Sequence, residues 1–335
     1  MKNHQFRLKQ RPTGRAKSTD FDFLESPVPT PGPGEALVRT LYLSIDPTNR
    51  IWMSDMEQYM PPVAIGDVMR GGGIGRVVVS NSNRWHVGDL VSGLLGWQDY
   101  CLVREADIFA PRTLPKDLPF PLPVMLGACG TTGVTAYFGL LDLGQPKAGE
   151  TVVVSAAAGA VGSVVGQIAK IKGCRVVGIA GGTEKCNWLT QELGLDAAID
   201  YKRPDWRDAL VRATPDGVHV NFENVGGEIM ATVMRRMTLG GRMPLCGLIS
   251  GYNEGTAAVG DFSPILMRRL SVRGFIVIDF APRWEEATSQ LIHWVREGKL
   301  KHRETIVEGL ENAPTALNRL FDGANIGKLM VKVAE

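Results

Sequence analysis

Two glycines three positions apart, Gly159 and Gly162, stand in the run VVVSAAAGAVGSVVGQIAK (152–170). An apolar strand pattern leads into them and a helical repeat leads out. The chemistry open to such a turn is the holding of a phosphate. Gly159 supplies backbone freedom and close approach, Gly162 lets the helix pack on the strand, and the helix start offers amide N–H groups and a positive dipole end. The full dinucleotide fingerprint has a third glycine, whose place is taken here by Ala157. A Gly/Ala-rich buried turn is the alternative reading of the segment alone.

The next strand end decides more. A site for NAD wants an acidic residue there for the ribose hydroxyls. This chain has GIAGGTEK (178–185), with neutral Gly181, Gly182 and Thr183 followed by Lys185. A neutral pocket beside an ammonium attracts a ribose 2′-phosphate that a carboxylate would repel, so the segment favours NADP. Glu184 weakens that preference, and Lys185 as an ordinary first-turn helix residue is the alternative. Two further segments, FENVGG (222–227) and CGLISGYN (246–253), follow later strands. In strand order together they offer Asn224 and Tyr252 to one crevice, and an ordinary turn role for each is the alternative.

The elements that must position these residues are legible in the texture of the chain. Its 335 residues exceed one ordinary core and imply two domains. Residues 1 to about 125 are rich in Pro, Gly and short β-like runs, and PTPGPGE (29–35) reads as a turn before a strand. Strand–helix alternation follows, with strands expected at 151–155, 174–180, 197–200, 217–222, 239–246 and 271–278. Val161, Val164, Val165, Ile168 and Ala169 form one stripe of a helix. This predicts a doubly wound parallel sheet with ligands at the carboxyl ends of its strands. The tail reads as a strand at 304–308, a helix from Glu311 to Phe321 and a closing strand KLMVKVA. The expected division is a β-rich domain of 1–127 and 298–335 and a nucleotide domain of 128–297.

Composition narrows the partners. A net charge of +2 gives no argument for nucleic acid or an anionic membrane. No window approaches roughly eighteen uninterrupted apolar residues, so no membrane span is expected. Five scattered cysteines (101, 129, 174, 186, 246) without C-x-x-C spacing point to reduced thiols in a cytoplasmic setting. The five histidines are isolated, with no ligand-like spacing to a cysteine or glutamate, so no metal is expected. Hydride transfer without metal is then the expected chemistry, on acceptors already polarised, such as a C=C conjugated to a carbonyl.

Taken together, AAAGAVGSVVGQIAKIKGC, GGTEK, ENVGG, CGLISGYN, EGLENAP and GANIGK resemble the zinc-independent medium-chain dehydrogenase/reductases. The branch is that of prostaglandin reductase, plant alkenal double-bond reductases and bacterial curcumin reductase, and the resemblance covers nearly the whole chain. It implies a Rossmann domain with a GroES-like β-rich catalytic domain, and NADPH-dependent reduction of the C=C bond of small-molecule enones and enals. It places Gly159, Ala160, Val161 and Gly162 under the pyrophosphate, and Lys185 and Tyr201 at the 2′-phosphate. Asn224, the stretch Cys246, Gly247, Leu248, Ile249, Ser250, Gly251 and Tyr252, then Phe275, Ile276, Val277 and Asn325 would line the remaining cofactor groove. Tyr252 is similar to the tyrosine that hydrogen-bonds the substrate oxygen. Two stretches depart from the family pattern. SIDPTNR (44–50) has Thr48 where an aromatic tyrosine lines the substrate pocket, and CGTTGVTAY (129–137) has Thr131 and Thr132 in place of Met-Pro. Rival functions are an NADPH quinone oxidoreductase and a non-catalytic NADPH-binding protein. The run LSVRGFIVID (270–279) reads as the last strand of the sheet and the edge for a homodimer.

Overall fold

The computed structural model describes residues 2–107, 110–254 and 261–335, and the chain divides into two units. The first unit is built from short antiparallel strands. β1 (Lys2–Leu8) pairs with β2 (Phe21–Pro27) as a separate ribbon. β3 (Glu35–Ser44), β4 (Gly72–Ser80), β5 (Leu90–Leu94), β6 (Tyr100–Arg104) and β7 (Arg112–Thr113) form the larger sheet, with β3 paired to both β4 and β6. β3 starts directly after the PTPGPGE turn, where Gly34 adopts φ +74° and Gly32 N–H donates to the Glu35 carboxylate at 2.8 Å. Alternate residues of these strands (Val38, Val77, Val91, Val103) close on Trp85 and Leu95 in a buried core.

The second unit carries six parallel strands: β8 (Thr151–Val154), β9 (Arg175–Ala180), β10 (Ala197–Asp200), β11 (Val218–Phe222), β12 (Met237–Leu245) and β13 (Ser271–Gly274). Their spatial order is β10-β9-β8-β11-β12-β13. The chain runs outward from β8 to β10, then crosses back to β11, so the order reverses between β8 and β11, where such sheets bind dinucleotides. Val152, Val153 and Val154 have no exposed surface, as expected of a central strand covered on both faces. The helix Ala160–Ile171 buries Val164, Val165, Ile168 and Ala169 on the expected stripe. It also buries Ser163 and Gln167 on the other side, because the segment around Lys301 lies there. The Gln167 carboxamide donates to Lys301 O (2.9 Å) and accepts from Lys301 N (2.7 Å).

The tail returns to the first unit through β14 (Glu304–Glu308), a helix Ala313–Phe321 and β15 (Lys328–Lys332), which pairs antiparallel with β3. Ile326–Lys328 are the exception, since they belong to the second unit. The expected last strand of the parallel sheet is corrected. It ends at Gly274, and the chain past Ile276 enters a 3-10 turn, Val277–Arg283. The cause is Phe275, whose ring leaves the strand to pack on the bare α-carbon of Gly139 and edge-on to Phe222 at 6.3 Å. The sheet edge offered by 270–279 thus shrinks to Ser271–Gly274, all four residues exposed.

One glycine holds the β8–helix junction. A Cβ at Gly162 would stand 2.4 Å from Ala156 O and 2.8 Å from Ala157 Cα, both backbone atoms that cannot swing away. Gly162→Ala is expected to cost about 1–3 kcal/mol and to lower Tm by about 5 °C. Thermal unfolding by circular dichroism measures this, and an unchanged Tm would show that the junction yields.

Candidate dinucleotide and active site

After Val154 the chain turns through Ala156, a non-glycine residue held at φ +48°. Gly159 N–H donates back to Ala156 O at 2.9 Å, and Ser163 N–H to Gly159 O at 3.0 Å is the first bond of the helix ladder. The N–H groups of Ala160, Val161 and Gly162 therefore lie ahead of that ladder, with Gly159 as an N-cap lacking a side chain and no acid in the first turn. A Cβ at Gly159 would meet only Ala156 O, at 3.2 Å, so its outer side is open. A bare, cationic helix end beside an open glycine fits a pyrophosphate. The missing first glycine is explained across the sheet. Ala157 N–H donates to Ile179 O (3.0 Å), and the Ala157 methyl stands where Gly178 has no side chain, 2.9 Å from the Cβ that residue would carry. The turn's flank is closed by Gly327, whose N–H donates to Ala158 O at 2.8 Å and which bridges Gly159 in parallel. Asn325, buried, lies just upstream of this contact in the chain.

At the ends of β9 and β10, Tyr201 and Lys202 close on Gly181, and Lys202, which sequence reasoning missed, neighbours Lys185. The α-carbon of Gly181 lies so close to Tyr201 and Lys202 that a Cβ would meet both side chains at 3.0 Å. Burial, then the neighbouring Lys202 ammonium, lowers the pKa of Lys185 below the ordinary lysine range. Glu184 is the weakest of the influences on Lys185, being 76% exposed and turned to Arg303 at 3.5 Å. Asp200 faces the backbone instead, accepting from Gly182 N (2.9 Å) and Lys202 N (3.1 Å) and so shaping the loop. Two lysines and a tyrosine are thus gathered at the ends of β9 and β10, a set that fits a dianion. The signal for Lys202 was present as a cation directly after Tyr201 at a strand end.

The other half of the rim is a stitched set of loops. Asn224 N donates to Ser155 Oγ (2.8 Å), and its side-chain Nδ2 to Ser155 O (2.7 Å). Ile249 N donates to Asn224 O and Ser250 N to Val225 O, binding CGLISGY to ENVGG. Desolvation, and then Glu223, push the pKa of the half-buried Cys246 thiol up to about 12. Tyr252 Oη lies over Gly247 and accepts from Leu248 N at 3.0 Å, a bond that uses a lone pair of the phenol and not its proton. Phe275, Ile276 and Val277 are partly buried beyond β13.

The three threonines differ. Thr48, in the first unit, has its hydroxyl 2.5 Å from Tyr59 Oη, so a phenol reaches this position from another residue. Burial raises the Tyr59 pKa, keeping that phenol protonated. Thr131 is exposed at a helix start. Thr132, expected in the substrate pocket, is buried, and its hydroxyl donates to Gly127 O at 2.9 Å. The histidines remain scattered, His219 accepting from Thr151 N at 3.1 Å. Among the described residues no three His, Cys, Asp or Glu side chains stand together as a metal site.

Residues 4–110 match the family model "N-terminal domain of oxidoreductase", and 160–294 match "Zinc-binding dehydrogenase". The NADPH-dependent curcumin reductase of Escherichia coli is 44% identical, covering 99% of this chain and 97% of that protein. The 2-alkenal reductase (NADP+-dependent) of Nicotiana tabacum is 40% identical over 99% of this chain and 98% of its own. The chain belongs to the medium-chain dehydrogenase/reductases, in the branch of prostaglandin, alkenal and curcumin reductases. Its fold matches the crystal structure of CurA from Vibrio vulnificus in complex with NADPH, with a TM-score of 0.93, 43% identity and 99% of each chain covered. The architecture of this reductase is accordingly a Rossmann unit joined to a GroES-like β-rich unit.

The Lys185–Tyr201–Lys202 corner predicts discrimination by one phosphate. Lys185→Ala and Lys202→Ala are each expected to weaken adenosine 2′,5′-bisphosphate binding about tenfold, the scale of a lost charge-assisted contact, with 5′-AMP binding unchanged. Isothermal titration calorimetry reads both ligands. Equal loss for both would remove the corner from phosphate recognition.

Proposed function

We propose that this NADP-dependent oxidoreductase reduces the C=C bond of α,β-unsaturated ketones and aldehydes, without a metal ion. The reading is carried by the Tyr252 hydroxyl, fixed by Leu248 N on the loop after β12 at the rim where the nicotinamide half of a dinucleotide lies. The residues that would hold NADPH are the amides of Ala160, Val161 and Gly162, the corner of Lys185, Tyr201 and Lys202, and the groove of Asn224, Cys246 to Tyr252, Phe275 to Val277 and Asn325. When bound, NADPH supplies the hydride for the β-carbon of the substrate.

The chain's own part is electrostatic. As negative charge grows on the substrate carbonyl oxygen, Tyr252 O–H donates to it, a contribution made where charge develops in the transition state. The backbone bond from Leu248 N holds the phenol oxygen in place, so little reorganisation accompanies that donation. Thr48 and Tyr59 form a hydroxyl pair on the substrate side in place of the aromatic wall. They favour acceptors with a polar group over extended diaryl substrates.

The exposed strand β13 and the helix Ser263–Arg268 support pairing with a second copy. Leu266 and Met267 of that helix are 72% and 67% exposed beside a sheet edge that, among the described residues, has no neighbouring strand. All five cysteines are thiols, in keeping with a cytoplasmic setting.

Three outcomes test the proposal. A screen of enones, enals and quinones with NADPH and NADH, followed by product analysis, is expected to yield the saturated carbonyl with NADPH. Turnover of quinones alone would overturn that reading in favour of a quinone reductase. Tyr252→Phe is expected to lower kcat about 100-fold, the scale of one lost oxyanion donor, while NADPH affinity stays the same. In light scattering the protein is expected to be a dimer that Leu266→Glu with Met267→Glu converts to monomer; a monomeric wild type would refute the pairing.

A further inference from the structure

Just past the end of β11 one carboxylate is sealed from solvent. Glu223 has no exposed surface. Its Oε1 accepts from Ser155 Oγ (2.8 Å), Val225 N (2.6 Å) and Gly226 N (2.9 Å), and its Oε2 from Asn221 Nδ2 (3.2 Å). Its backbone carbonyl accepts from Cys246 N (2.9 Å) and Gly247 N (3.2 Å). One residue therefore ties together the ends of β8, β11 and β12. Ser155 passes the tie onward, since its Oγ also accepts from Asn224 N at 2.8 Å.

A buried carboxylate is expensive to desolvate, and a well-packed apolar side chain of similar volume commonly serves stability as well or better. What an apolar side chain cannot do is collect hydrogen-bond donors from separate strand ends at one point. Those strand ends carry Asn224, the Leu248 N–Tyr252 Oη bond and the Ser250–Val225 contact. The adenine half of the site rests on other elements, the Lys185 helix and the Tyr201–Lys202 turn, to which Glu223 makes none of these bonds.

We propose that Glu223 is a positioning residue for the reduction step, a buried acceptor that locks the three strand-end loops into one rigid rim so that Tyr252 and Asn224 are held at the reacting end of the dinucleotide. The proposal rests on the reductase reading of the same rim. Position and not charge is what Glu223 contributes, and a glutamine can replace it in that role. In the Glu223→Gln variant the new carboxamide oxygen would keep the three Oε1 contacts. The carboxamide nitrogen would face Asn221, whose buried Oδ1 has no partner and, after rotation of the Asn221 carboxamide, can accept from it.

The test compares Glu223→Ala, Glu223→Gln and Ser155→Ala with 3-penten-2-one, NADPH and adenosine 2′,5′-bisphosphate as probes. Glu223→Ala is expected to lower kcat about 100-fold, as misplacement of a catalytic group does, while bisphosphate affinity changes less than about twofold. Glu223→Gln is expected to restore kcat to within about tenfold of wild type, and Ser155→Ala, which removes the ties of Ser155 Oγ to Glu223 and to Asn224 N, to lose about tenfold. Three results would overturn the assignment: unchanged kcat in Ser155→Ala and Glu223→Ala, parallel loss of bisphosphate binding and kcat, or no recovery in Glu223→Gln. Should Glu223→Ala not fold, the other two variants decide by the same criteria. If the wild type reduces quinones only, the enone reading fails by itself, and the same kcat comparison is made with the quinone.

Discussion

No methyl group fits between Gly162 and the carbonyl of Ala156. That exclusion fixes where the helix Ala160–Ile171 begins, because only a glycine lets its first turn rest on the backbone leaving β8. Ala156 consequently sits at positive φ, a conformation that costs an L-residue about 1–2 kcal/mol. The surroundings hold it there: its carbonyl takes Gly159 N–H, and the next amide is taken by Ile179. With the helix start pressed onto the strand end, its leading amides lie ahead of the helix ladder, just past the carboxyl end of β8.

The same rim shows two ways of making a loop rigid. At the ends of β9 and β10, the backbone is shaped by Asp200, a partly buried carboxylate that takes two amides. On the far side the loops are too short to be shaped separately, and Glu223 gathers them at one buried point. Both acids spend their acceptor oxygens on backbone and neutral side-chain donors and not on the ammonium groups of Lys185 and Lys202.

The parts of this design legible in the sequence were those with a period or a strand-end position. Alternation and the 3.6-residue stripe located β8 to β12 to within a few residues. Lys202 was overlooked because its role depends on the return of β10 beside Gly181, a tertiary fact. Glu223 hid inside a motif whose glycines drew the attention, since nothing in ENVGG tells whether its acid points in or out. The reach of 271–278 was overestimated because Phe275 to Ile278 have strand-like composition, while the space beside Gly139 that draws Phe275 away lies far off in sequence. The hydroxyl of Thr132 is a similar case: at a helix start it can turn outward or inward to Gly127, and sequence does not choose. Tyr59, which returns a phenol to Thr48, sits in a stretch of Gly-poor loop without any periodicity to place it.

The pairing of Gly327 with Ala158 and Gly159 has a consequence for how the protein is made. Gly327, at φ +68° with Arg303 O where a side chain would stand, can be nothing other than glycine. Its contact joins chain segments separated by most of the second unit and part of the first. Such long-range closure is slow to find, because the loop entropy must be lost before the contact stabilises anything. During synthesis the phosphate turn therefore waits, one flank bare, until a chain stretch far downstream has left the ribosome. The turn after β8 is thus completed only once this far downstream stretch is present.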